Sequence, residues 1–143
     1  MEKEQIKNYL ETLHAEYLDI ANESINNYNN SGKDEQVMKD FYLKEATKYA
    51  ITVPFKIMEN SYKSMSIIKK MAEIGNPNSI TDAAVGALCA RTSVLGAFLN
   101  VRINCKDCED QKFVSKIIKQ GNEIVTKTNQ LEKEVLEITN SKI

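Results

Sequence analysis

An all-α fold, an antiparallel bundle of about five long helices, is what this sequence predicts. Three observations carry that prediction. The 143 residues hold only two prolines and five glycines. The long intervals between them are filled by Lys, Glu, Leu, Ile, Ala and Asn, and the apolar residues within them recur at steps of three and four. A chain of this length makes one ordinary domain, residues 1–143, and no internal repeat, low-complexity block or long linker divides it.

The elements follow in order. Residues 2–29 place Ile6, Leu10, Leu13, Tyr17, Ile20 and Tyr28 on one stripe, with Lys and Glu opposite, and Asn29, Asn30, Ser31 and Gly32 end it. Asp34 is the expected N-cap of a second helix, in which Val37, Phe41, Thr47 and Ile51 lean to one side. Pro54 removes a backbone donor and crowds the preceding turn, so a kink or a fresh helix start is expected there. From Phe55 to Ile74 a further stripe runs through Met58, Tyr62, Met65, Ile68 and Met71, and Gly75 with Asn76-Pro77 stops it. Its methionines suit an irregular core. Asn78 or Ser79 is the expected cap of the next helix, and Ser79-Ile80-Thr81-Asp82 approximates a capping box with Asp in place of Glu. The last helix, residues 109–140, runs through Phe113, Ile117, Ile124, Leu131, Leu136 and Ile138.

Charge and cysteine usage narrow the function classes. With 19 basic and 20 acidic residues the net charge is −1, which gives no global attraction to nucleic acid or anionic lipid. Asp82 and Arg91 interrupt the one long low-charge stretch, and the opening MEKEQIKNYL lacks the features of a secretory signal, so neither a membrane partner nor secretion is expected. Three cysteines, an odd count, do not make a disulfide framework, and a cytoplasmic location is the expectation. Cys105 and Cys108 form a CxxC, but a closed zinc site would also need Cys89 and His14, and the pair lacks the βαβ context of a redox motif. No metal is expected. His14, in a row with Lys7, Glu11 and Leu18, reads as a solvated flank.

The segment NPNSITDAAVGALCARTSVLGAFLNVRINC poses the functional question, because an apolar helix rich in Ala and Gly carries Asp82 near one end and Asn100, Arg102 and Asn104 near the other. Asp82, Gly86, Cys89, Ser93, Gly96, Asn100 and Asn104 share a small, intermittently polar face, and Val85, Leu88, Leu95, Phe98 and Leu99 read as the core face. Asp82 is either a cap or a site acid; Asn100 and Asn104 either satisfy the last carbonyls or contact a ligand. Arg91 and Arg102 read as solvated or ion-paired. Gly86, Ala90, Ser93 and Ala97 offer a seam close enough for a homodimer.

Gly75-Asn76, Thr81-Asp82, Gly96-Ala97 and Asn100-Val101-Arg102-Ile103-Asn104, with Val53-Pro54 upstream and Asp110 to Val114 downstream, resemble the signature region of the formiminotransferase-cyclodeaminase family. The likeness is to its C-terminal cyclodeaminase type, which includes the bacterial methenyltetrahydrofolate cyclohydrolases. It implies an all-helical, dimeric subunit acting on a one-carbon tetrahydrofolate derivative, with no metal cofactor. The reaction would be expulsion of ammonia from 5-formiminotetrahydrofolate, or interconversion of methenyl and formyl forms. It also implies Asp82 as the catalytic acid or base and Asn100 and Asn104 as substrate-binding amides. Asp82 and Asn100 lie about 27 Å apart along an ideal helix, so they either touch a long folate at two points or meet across a symmetry-related subunit.

Two departures from the family pattern shape the expectation. No glycine-rich Pro-Gly-Gly-Gly-Ser type turn precedes Ile6, and Ser24 stands where the family places an Asp. A shortened relative is expected to turn over weakly alone and to need a chain that supplies the missing N-terminal segment. The alternative is a catalytically degenerate helical dimerisation or interaction module that still binds folate.

Overall fold

A computed structural model describes residues 35–143, together with Asn22, Glu23 and Asn26, which are helical. The stripe over residues 2–29, His14, Ser24 and the Asp34 cap lie outside the described residues. Two compact units divide the chain, Met1–Tyr42 and Leu43–Ile143. In the first, the described run 35–42 is helical; the second holds the rest.

Three α-helices, not five, make up the described residues: α1 (Glu35–Ile74), α2 (Ile80–Asn104) and α3 (Gln111–Asn140), with 3-10 turns at Pro77–Ser79 and Cys105–Asp107. The expected first helix lies outside them, and the expected second and third are one helix of 40 residues with Pro54 inside it. Proline should leave the carbonyl four residues earlier without its helical donor. That carbonyl, Ala50 O, accepts from the Asn104 side-chain amide at 2.8 Å. A donor from α2 thus replaces the lost one, and the helix runs on.

Within the second unit α2 lies antiparallel to α1. Ser61 and Ser93 share a hydroxyl hydrogen bond of 2.8 Å, Gly86 lies against Ile68, and Asn104 reaches Ala50, so each contact steps back along α1 as it advances along α2. The third helix returns antiparallel to α2. A methyl group on Gly121 would overlap the Phe98 ring, so here the absent side chain lets the two helices close. At the two ends α3 is tied to α1, by Lys48–Asp110 at 2.9 Å and Lys69–Glu134 at 2.8 Å. Lys142 Nζ donates to Ala72 O and Glu73 O at 2.6 and 2.7 Å, so the chain after α3 satisfies the last carbonyls of α1, whose own last turn has no basic residue.

The core falls into two clusters. One gathers Ile51, Phe55, Met58, Val94, Phe98, Val101 and Ile117 with Cys105 and Cys108. The other gathers Met65, Ala72, Ile80, Ala83, Ala87, Ala90 and Val135. Between them in chain order on each helix stand Ser61, Ser93 and Thr128, a polar waist; the buried Thr128 hydroxyl has no hydrogen-bond partner among the described residues.

On α2 the buried face is neither of the two expected ones, although Phe98, expected in the core, is buried and Leu95 is half-buried. Ala83, Ala87, Ala90, Val94, Ala97 and Val101 are buried, whereas Val85, Leu88 and Leu99 are 57%, 44% and 64% exposed. The reason is close packing: alanines let α1 and α3 approach α2 from two sides, and leucines there would hold them apart. The expected dimer seam is consumed in the same way, since Ala90 and Ala97 are buried in the subunit, Ser93 bonds Ser61 and Gly86 meets Ile68. By length and composition Pro77–Asp107 would also suffice to cross a membrane, with a mean hydropathy of 1.5 over its apolar window. Its alanine stripe is instead buried, and Arg91 in its middle pairs with Glu132 at 3.1 Å.

Candidate functional site

The turn that presents Asp82 is built from Asn76, whose Oδ1 accepts from the Asn78 amide at 3.0 Å while Pro77 occupies the first position of the 3-10 turn. Asn76 thus caps the 3-10 turn, and Ser79 takes the expected cap position of α2 without a side-chain cap bond. Asp82 follows in the first turn of α2, exposed, with no hydrogen bond or ion pair among the described residues. Its carboxylate faces the positive end of the helix dipole without being consumed by a cap.

The two asparagines stand at the other end and are differently engaged. Asn100 is exposed and folds its amide back on Gly96 O at 3.3 Å. Asn104 is half-buried, and its Nδ2 is committed to Ala50 O, which leaves Oδ1 as its outward acceptor. One copy does not bring either to Asp82, because 18 residues of straight helix separate Asp82 from Asn100, about 27 Å.

Charged groups other than the three expected site residues make the remaining polar clusters. Asp110 caps α3 by accepting from the Phe113 amide at 3.0 Å and pairs with Lys48. The Phe113 amide first, and then Lys48, hold its carboxyl below the usual carboxylate range; Asp110 in turn raises Lys48. Glu134 is lowered by Lys69 and then by Gln130, and Lys69 is raised by Glu134. Arg91 donates to Asn129 at 2.9 Å as well as to Glu132, as expected of an ion-paired residue.

Among the described residues an open groove of 740 Å³ lies beside α3, lined by Tyr62, Thr126, Lys127, Asn129, Gln130, Leu131 and Lys133. None of the three expected site residues lines it. Tyr62 and Leu131 lie on the apolar stripes of α1 and α3, so periodicity held no signal for a groove between them. The thiols divide by environment: Cys89 is exposed, and Cys105 and Cys108 are buried, with burial pushing the Cys105 thiol up. No group of three or more His, Cys, Asp or Glu side chains converges as a metal site among the described residues.

An all-helical unit whose central helix carries an unspent carboxylate at its start and two amides at its end now meets its relatives. The formiminotransferase-cyclodeaminase family matches residues 2–138, and the chain belongs to that family. It is 34% identical to the formimidoyltransferase-cyclodeaminase of Dictyostelium discoideum over 78% of its own length and 21% of that protein's. The rat protein of the same name is 32% identical over 58% of this chain and 15% of its own. With the methenyltetrahydrofolate cyclohydrolase of Methylorubrum extorquens the identity is 28%, covering 77% of this chain and 53% of the relative. The chain thus spans about half the length of the cyclohydrolase and about a fifth or less of the two-activity proteins.

Proposed function

We propose that this chain acts in one-carbon tetrahydrofolate metabolism, either as a cyclodeaminase, converting formiminotetrahydrofolate to methenyltetrahydrofolate and ammonia, or as a methenyltetrahydrofolate cyclohydrolase. The observation that carries the proposal is the family match over residues 2–138, which contains Asp82, Asn100 and Asn104. Both reactions pass through a tetrahedral carbon between two folate nitrogens. In the first, the bridging amine outside the pterin ring attacks the carbon of the protonated formimino group, its proton passes to the departing amino group, and ammonia leaves the methenyl cation; in the second, water adds to the methenyl carbon, gives up a proton, and the ring opens. Asp82 is assigned the proton transfer. Its exposure in the single chain leaves it open to substrate, and its negative charge suits the cationic methenyl form. Asn104 Oδ1 and the Asn100 amide are assigned the polar edge of the pterin. The chemistry needs no metal, and the protein is assigned to the cytoplasm as a homodimer in one folded domain.

The test is turnover of 5-formiminotetrahydrofolate and of 5,10-methenyltetrahydrofolate, corrected for the spontaneous reactions, with thermal stabilisation by tetrahydrofolate measured in parallel. Turnover supports an enzyme. The second reading, a catalytically degenerate folate-binding or interaction module, is favoured by the lack of any described group that holds Asp82 in place in one copy. Stabilisation without turnover supports that second reading, and the absence of both removes folate from the function.

A further inference from the structure

Within the second unit α1 carries an apolar stripe on the side away from its core. Val53, Ile57, Ile67, Met71 and Ile74 are all exposed, Ile67 at 64% and Ile74 at 74%. With Asn60 and Ser64 between them they follow one another at steps of four and three, without a charge, over three heptads or about 32 Å of helix. The opposite side of the same helix, with Phe55, Met58, Met65 and Ala72, already packs the subunit core. Isolated exposed apolar residues need no explanation, but a second continuous stripe on a helix whose first is spent marks a surface for a partner.

The spacing names a helix as the occupant. Apolar residues at alternating steps of four and three form the seam of a coiled coil, and a lone asparagine on such a seam fixes the register of the second helix. Asn60 is exposed and makes no hydrogen bond among the described residues. A lipid surface would instead ask for large apolar residues throughout and for cations on both flanks. Here the centre is Asn60 and Ser64, and one flank is closed by α2, where Ser61 bonds Ser93 and Ile68 meets Gly86.

The charges on the open flank name the partner's chemistry. Lys56, Lys63 and Lys70 stand directly before Ile57, Ser64 and Met71, one in each heptad, at the position that meets the facing helix. All three are exposed and none is ion-paired among the described residues, whereas Lys69, on the core side, is spent on Glu134. A second copy of α1 does not answer them. Laid antiparallel it sets lysine against lysine, and laid parallel it offers Ser61, Ile68 and Gly75. We infer that the Val53–Ile74 face of α1 docks an amphipathic helix of another protein, one with branched apolar residues on its seam and Glu or Asp at the flank that meets these lysines. The inference is independent of the folate reading, because Asp82, Asn100 and Asn104 all lie on α2.

The experiment uses the full 143-residue chain and two synthetic four-heptad peptides that share one Ile/Leu seam with a single Asn, the first flanked by Glu and the second by Lys. In fluorescence anisotropy the Glu-flanked peptide binds about tenfold tighter than the Lys-flanked one, and added salt narrows the difference. Lys56→Glu, Lys63→Glu and Lys70→Glu together invert the preference. Ile67→Asp, at an exposed position that leaves the helical circular dichroism intact, abolishes binding of both peptides. Equal binding of the two, binding of neither, or a preference unaltered by the charge reversal overturns the inference. So does a native dimer that Ile67→Asp dissociates, which gives the face to a second copy. Binding to phosphatidylserine vesicles that Ile67→Asp abolishes, without discrimination between the peptides, overturns it in favour of a membrane. An Ile67→Cys thiol shielded from maleimide in the monomeric chain overturns it in favour of the chain's own residues.

Discussion

The Asn104 side chain donates its amide hydrogen to Ala50 O at 2.8 Å, the carbonyl that Pro54 deprives of its helical donor. One asparagine therefore both keeps α1 continuous and aims its remaining oxygen outward at the end of α2. The two roles separate by mutation. Asn104→Ala is expected to cost about 1 kcal/mol, a net hydrogen bond, and much less in a Pro54→Ala background, where residue 54 regains its own N–H. Urea denaturation of the four chains checks this; equal costs in both backgrounds would show that the contact does not compensate the proline. If Asn104 also binds substrate, turnover falls in both backgrounds alike.

Gly121 and Gly96 are expected to respond oppositely to the same methyl group. Gly121→Ala pushes into the Phe98 ring of a packed core and should destabilise by about 1–3 kcal/mol. Gly96→Ala meets open space within the subunit and should gain up to about 1 kcal/mol of helix propensity. Thermal melts under conditions that keep each variant monomeric read both signs.

Asp82→Asn separates chemistry from folding. With no hydrogen bond to lose, the carboxylate contributes to stability only through the helix dipole, about 0.3–1 kcal/mol. Loss of its proton transfer should lower turnover about 10²–10⁴-fold. Unchanged turnover with a slightly lower melting temperature would return Asp82 to a structural role.

Acid should loosen the ends of α3 first. Asp110 and Glu134 have folded-state values below the unfolded ones. Their contribution is complete above about pH 5 and is lost as pH falls through the lower folded values. Lys48 and Lys69 are shifted upward, so their share is present below the unfolded lysine value and is lost only as strongly alkaline pH is passed. Both pairs are partly solvent-exposed, so the effect is small and shrinks with salt. Asp110→Asn keeps a capping side chain and should flatten the acid limb of a urea-midpoint profile; an unaltered limb would place the pH dependence elsewhere.

The sequence made the cores of α1 and α3 legible and misread α2, for a physical reason. Met58, Tyr62 and Met65 on α1, and Ile117, Ile124 and Leu131 on α3, alternate with charges, and the structure buries or half-buries all six; Met71, expected in the same α1 stripe, is instead 58% exposed in the last turn of that helix. On α2 apolar residues continue all the way round. Periodicity then cannot tell Ala87 and Val94, which are buried, from Val85 and Leu99, which are not. Pro54 marks a lost donor, but its replacement sits 50 residues further along the chain, on another helix. As for the site, residue type nominated Asp82, Asn100 and Asn104. Their separation was visible from helix rise alone, and the commitment of Asn104 to Ala50 was not.

The interrupted interior has a mechanical consequence. Ser61, Ser93 and Thr128 part the apolar filling into two compartments through which all three helices pass like rods through two clamps. Each compartment is filled by its own set of buried side chains, so loosening one is expected to leave the other packed. The end that holds Asp82 and the end that holds Asn100 and Asn104 thus rest on separate clusters, and amide hydrogen exchange read at both ends would report whether they open separately.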